Sequence, residues 1–137
     1  MAGIYIHIPF CKSRCIYCDF YSTTRLQDRE EYVRCIEQET ALRAPAFAQQ
    51  MANKGDILKT VYFGGGTPSM LCERHINGIL CSIRNSFCHT QIQEITLEAN
   101  PGDLSEDKLR RLREAGINRL SLGVQSFQDT LLHRLSR

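Results

Sequence analysis

The stretch "YIHIPFCKSRCIYCDF" (residues 5–20) sets an apolar run directly against Cys11, Cys15 and Cys18, spaced C-x3-C-x2-C. Gly3 to Ile8 reads as a buried strand, so the thiols lie on the loop leaving its carboxyl end. In parallel α/β sheets that is the end at which ligands bind. The same unit recurs along the chain. Leu58 to Phe63 reads as a second strand, cut by Gly64-Gly65-Gly66; Ile92 to Ala99 is a third and Ile117 to Gly123 a fourth.

Helical patterns alternate with these strands. Asp28 opens the first, with Glu31 completing a capping box, Tyr32, Val33 and Ile36 on its apolar face, and Pro45 ending or kinking it. Cys35 beside that face reads as core packing. Ile76, Ile79, Leu80, Ile83 and Phe87 form the stripe of the second. Ser105 caps the third, which ends at Gly116, and Ser126 caps the fourth, with Asp129 in its first turn. Strands alternating with helices, without a hairpin signal, predict an α/β fold: a parallel sheet with right-handed crossovers. Four βα units are half of a (β/α)8 barrel, so the expectation is a partial (β/α) barrel belonging to a longer protein.

Composition narrows the function. A chain of 137 residues is one domain's worth, 42% hydrophobic and 23% charged. A net charge of +2 argues against nucleic acid as partner. No apolar run approaches the ~18 residues of a membrane span. The start of the chain lacks the charged region of a secretory signal, so the expected location is cytoplasmic, where seven cysteines stay reduced.

A structural zinc site wants four ligands, commonly as two paired motifs, and a second pair is missing here. Cys72, Cys81 and Cys88 lie on or beside the second helix without CxxC spacing. A cubane iron–sulfur cluster takes one thiolate per iron. Three thiols would hold three irons and leave the fourth open to an exchangeable ligand. Unrelated thiols or a partial zinc site are the competing reading.

C-x3-C-x2-C with Tyr17 before the last cysteine resembles the signature of the radical SAM superfamily. "YIHIPFC", "GGGTPS", "LEANPG", "GVQSF" and "LHRLSR" are similar to the branch that holds oxygen-independent coproporphyrinogen III oxidases and HemW-type heme chaperones. The resemblance implies a [4Fe-4S] cluster on Cys11, Cys15 and Cys18, its open iron chelating S-adenosylmethionine. It implies reductive cleavage of that cofactor to a 5′-deoxyadenosyl radical. By the same resemblance Tyr5 approaches S-adenosylmethionine near the cluster, with His7 close by, and Tyr17 lies against the adenine. Gly65 and Gly66 let the backbone come near, and Thr67 adds a hydroxyl among amides that cradle the methionine moiety. Glu98 accepts from the ribose or meets the sulfonium region. Gln125 and Arg137 match positions that contact a second S-adenosylmethionine in the oxidase.

Oxidases of the branch carry a further cysteine two residues after the third. Here Phe20 stands there, the form of the heme chaperones. The resemblance therefore favours a heme-trafficking protein over an oxidase that decarboxylates propionates; an inactive remnant is the third reading. The resembled proteins are longer, so residues 1–137 correspond to the N-terminal portion of a radical SAM core. The remainder and the domain that handles heme or porphyrin would lie outside it. Electron donor and heme acceptor are expected partners of unknown identity. The fourth strand should then be an exposed sheet edge, and the half barrel should leave apolar rows of its inner face uncovered.

Overall fold

The computed structural model describes residues 1–87 and 90–135. Strands β1 (Ala2–Ile8), β2 (Leu58–Gly65), β3 (Thr90–Ala99) and β4 (Arg119–Leu122) form one parallel sheet in the order β1-β2-β3-β4. Helices α1 (Arg29–Lys54), α2 (Glu73–Ser86), α3 (Glu106–Ala115) and α4 (Asp129–Arg134) follow the strands in turn. This is the α/β order read from the sequence. Among the described residues, no helix is long and apolar enough to cross a membrane.

Period-2 alternation sorts the strand side chains onto two faces. Ile6, Ile8, Val61, Phe63, Ile95 and Leu97 join one core with Val33 and Met51 of α1, Ile76, Ile79, Leu80 and Ile83 of α2, and Leu112 and Ala115 of α3. The α2 stripe is fully buried. Burial on that scale contributes about 1.5–3 kcal/mol for each large aliphatic side chain. The opposite face carries Tyr5 and His7, Thr60 and Tyr62, Glu94, Thr96 and Glu98, then Arg119 and Ser121, aligned by the register Tyr5↔Tyr62↔Thr96↔Arg119. Uncovered apolar rows were expected there; the rows are instead hydroxyl-bearing and charged. The sequence runs mix two faces, and only the strand register separates them.

Several boundaries differ from the sequence expectation for identifiable reasons. A 3-10 turn, Leu26–Asp28, precedes α1 and places Asp28 already in the right-handed region. Its carboxylate pairs with Arg25 at 3.0 Å and caps nothing. Pro45 does not end α1, which continues to Lys54. The proline is exposed, so the carbonyl it leaves unpaired faces water, while Phe47, Ala48 and Met51 hold the following turns to the core. The helix ends at Gly55 (φ 63°), whose amide and that of Asp56 reach back to Met51 and Ala52. Cys35 is exposed, not core, because helical rotation turns it away from Val33.

Ser105 does cap α3, accepting from the Lys108 amide, and Gly116 closes it at φ 110°. The strand β4 is shorter than the expected Ile117–Gly123. The Ile117 amide is used in closing α3, and Asn118 meets β3 through its side chain: Oδ1 accepts from the Ile95 amide and Nδ2 donates to the Gln93 carbonyl. Ser126 accepts from the Gln128 amide in a turn ahead of α4 and does not cap the helix.

Candidate functional site

The carboxyl ends of the strands open into a cleft of about 960 Å3. All four segments expected at this rim line it: Cys11, Cys15, Tyr17 and Cys18 after β1, Gly65, Gly66 and Thr67 ending β2, Glu98 and Asn100 at the end of β3, and Gly123 and Gln125 after β4.

The cysteine loop is pinned at its base. Phe10 and Thr23 form an isolated parallel bridge; the Cys11 amide donates to the Thr23 carbonyl at 2.9 Å, and the Thr23 amide to Pro9 at 2.7 Å. Inside the loop, the Cys18 amide donates to the Cys15 carbonyl at 3.1 Å, closing a turn from Cys15 to Cys18. Arg14 donates to the Ser22 carbonyl at 2.5 Å, and His7 Nε2 lies 3.1 Å from the Tyr21 carbonyl. The three cysteines are free thiols, Cys11 and Cys15 half-buried and Cys18 exposed.

The glycine segment runs beside this loop because it has no side chains. A Cβ on Gly66 would stand 2.8 Å from the Pro9 backbone and 3.0 Å from Cys11 Sγ. Gly65 holds φ at 117°, and a Cβ there would meet the His7 ring at 2.6 Å. The expected amide cradle is not what the segment offers. The Gly65 amide donates to Glu98 Oε2 at 3.1 Å, and the Gly66 and Thr67 amides, each at 2.8 Å, donate to the carbonyls of Ile8 and Phe10. These donors lock the two loops together. The buried Thr67 hydroxyl donates to Cys11 Sγ at 3.5 Å.

Glu98 is held by two donors, the Gly65 amide and the Tyr62 hydroxyl, the latter to Oε1 at 2.6 Å. That hydrogen bond, with burial second, raises the Tyr62 pKa above the ordinary tyrosine value. Tyr5 does not line the cleft. It stacks on Tyr62 at 5.9 Å on the uncovered sheet face, with its hydroxyl 3.4 Å from His7 Nδ1. Partial burial and then the Glu98 charge raise its pKa too. The Tyr62–Glu98 bond is therefore present at neutral pH and is lost only as pH rises beyond the ordinary tyrosine range, through the elevated phenol pKa. Tyr62→Phe should remove one late phenolate transition from an ultraviolet titration; an unchanged late phase would refute the assignment.

Gln125 has φ 63°, left-handed for a residue with a side chain. Tight turns on either side impose it: the Val124 amide donates to Leu122 and the Ser126 amide to Val124. Conformations of this kind are kept where surrounding structure over-determines them, often at ligand sites. Arg137 lies outside the described residues.

The family model of the radical SAM superfamily matches residues 5–137. The chain belongs to the radical SAM superfamily. It is 41% identical to the heme chaperone HemW of Bacillus subtilis, covering 100% of this chain and 35% of that protein. It is 35% identical to the oxygen-independent coproporphyrinogen III oxidase of Salmonella typhimurium, covering 98% of this chain and 29% of that protein. The solved structure of coproporphyrinogen III oxidase (HemN) from Escherichia coli, described as a radical SAM enzyme, superposes with a TM-score of 0.84 at 34% identity. That match covers 98% of this chain and 30% of that one. The chain thus spans about a third of the length of the curated relatives it matches.

Membership implies a [4Fe-4S] cluster and S-adenosylmethionine in general terms, and the donor set can be tested against them. Among the described residues, no three His, Cys, Asp or Glu side chains gather around a single point as for one metal ion. A cubane does not require that, because each thiolate binds a different iron. Three free thiols on a base-pinned loop, opening on one cleft beside a glycine that admits close approach, fit such a group. Sequence reading missed Tyr62 and the contacts of Lys12 and Asp103. Alternation with Gly64 on the strand could have placed Tyr62 on the face of Glu98; nothing local pairs Lys12 with Asp103.

Proposed function

We propose that residues 1–137 are the N-terminal portion of a radical SAM core that binds a [4Fe-4S] cluster through Cys11, Cys15 and Cys18, within a HemW-type heme chaperone. The carrying observation is a three-thiol loop lining the cleft, with Phe20 where an oxidase would have a further cysteine. When bound, the cluster supplies S-adenosylmethionine with a coordinating iron and one electron. The residues supply position. Tyr17 gives the adenine a ring at the cleft wall. Glu98, oriented by Tyr62 and Gly65, keeps carboxylate lone pairs for ribose hydroxyls. Gly65 and Gly66 keep the wall thin, and Thr67 acts on Cys11 through its hydroxyl. Tyr5 supports this group from the sheet face. Gln125 and Arg137 would serve a second S-adenosylmethionine. Heme or porphyrin, an electron donor and a heme acceptor are partners of the whole protein, which would work in the cytoplasm.

The second reading, an oxygen-independent coproporphyrinogen III oxidase, is favoured by the likeness to that solved structure. One experiment separates the two. The full-length protein, with its cluster reconstituted anaerobically, should bind heme and leave coproporphyrinogen III unchanged. Steady formation of protoporphyrinogen above a cluster-free control would establish the oxidase. A protein that binds neither heme nor S-adenosylmethionine would be the inactive remnant.

A further inference from the structure

We infer that Asp103 is a positioning residue that, through Lys12, holds the cysteine loop docked on the far side of the cleft; this rests on reading that loop as the cluster-bearing one. Asp103 ends a 3-10 turn, Pro101–Asp103, just after β3. Its side chain is only 7% exposed. Lys12 Nζ donates to Oδ1 at 2.5 Å, across 91 residues of chain, and the Ser69 hydroxyl donates to Oδ2 at 3.4 Å. From α3, Lys108 Nζ donates to the Ser69 carbonyl at 2.5 Å. Burial lowers the Lys108 pKa while Asp103 raises it. Segments following β1, β2 and β3 therefore meet at one buried carboxylate.

The energetics are asymmetric. Lys12 is 64% exposed and would lose little by returning to water. Asp103 cannot follow it. A buried carboxylate deprived of its cation is costly, and Lys108 stands one residue away, on Ser69. Undocking the loop thus exposes the asymmetry at Asp103, and the equilibrium favours the docked arrangement. Lys12 is joined directly to Cys11, so the clasp acts on the first thiol through one peptide bond. The other contacts described above tie the loop to its own interior, to β1 and to the segment after β2. The Lys12–Asp103 pair links it to the opposite rim, and both residues line the cleft.

The test compares wild type with Asp103→Asn, Lys12→Met and the double variant. In reduced, iron-free protein, maleimide labelling of Cys11, Cys15 and Cys18 is followed by mass spectrometry, with exposed Cys35 and Cys81 as internal references. Each single variant should raise labelling of the half-buried Cys11 and Cys15 about tenfold over the references, the order expected when a charge-assisted hydrogen bond no longer opposes local opening, with exposed Cys18 labelling like the references throughout. The double variant should add little, since both changes remove one interaction. After reconstitution, both should lose iron to a chelator faster than wild type. Unchanged loop labelling in both singles overturns the inference. So does acceleration in Asp103→Asn alone, which would assign the carboxylate to Ser69 and Lys108, and so does equal acceleration at all cysteines with a lowered urea midpoint. Labelling needs no cluster, so a wild-type chain that fails to load iron would sink the functional reading and leave this result standing.

Discussion

Alanine at any one of Cys11, Cys15 or Cys18 should abolish iron–sulfur loading, whereas Cys81→Ala should leave it intact. Wild type, reconstituted without oxygen, should take up about four irons and four sulfides per chain, with a reduced-state resonance that changes when S-adenosylmethionine is added. The effect should be complete because the thiols are not interchangeable. Cys11 is fixed by its amide on Thr23 and receives the Thr67 hydroxyl; Cys15 and Cys18 are coupled through their own turn. Asp19, next to Cys18, is an oxygen ligand, ill-suited to an iron–sulfur core. Cys81 sits exposed on α2, away from the cleft wall. Iron and sulfide analysis with absorption spectra reads the outcome, and circular dichroism confirms that each variant is folded. Wild type binding one zinc through four thiolates, or a cysteine variant that loads normally, would refute the three-thiolate assignment.

How far this site could be read in advance depended on the distance over which each signal acts. The cysteine spacing, the glycine run and the ends of β3 and β4 are local in sequence, and parallel topology brings strand ends together. Their convergence on one cleft was therefore legible. What the glycine amides do was not, because their acceptors, Ile8 and Glu98, lie on other strands. The polar character of the uncovered face was hidden similarly. Tyr5, Tyr62, Thr96 and Arg119 belong to different runs and form one row only through strand register. Helix starts failed where a neighbouring turn intervened. Asp28 and Ser126 are good capping residues by chemistry, yet a 3-10 turn before α1 and a turn before α4 take their geometry. Pro45 shows the converse: tertiary packing of Phe47 and Met51 outweighs the local break.

The 137-residue chain should self-associate in a concentration-dependent way, and Leu120→Lys should suppress that association. Among the described residues β4 pairs only with β3, so its far side presents unpaired amides and carbonyls. Around it Leu120 is 37% exposed, Leu122 49%, Leu131 41% and Phe127 95%. Two features oppose association. The strand is only 4 residues long, and short edges are poor templates. The uncovered sheet face is polar and adds no apolar drive. What remains is an apolar rim around β4, with Leu120 beside Leu109 and Leu112 of α3 and Leu122 and Phe127 at the cleft. That rim, more than the sheet face, should draw in a second copy, whose β1 is the other free edge of the sheet. A lysine at position 120 places a charge where a neighbouring strand would have to pack, and leaves the α2 core untouched. Light scattering after size exclusion should show the wild-type mass rising with concentration and the variant holding at the mass of one chain. Hydrogen exchange should find the β4 amides that face away from β3 unprotected in the variant. A wild-type chain that stays monomeric at all concentrations, with those amides strongly protected, would mean that β4 is covered from within the chain and that this edge is closed.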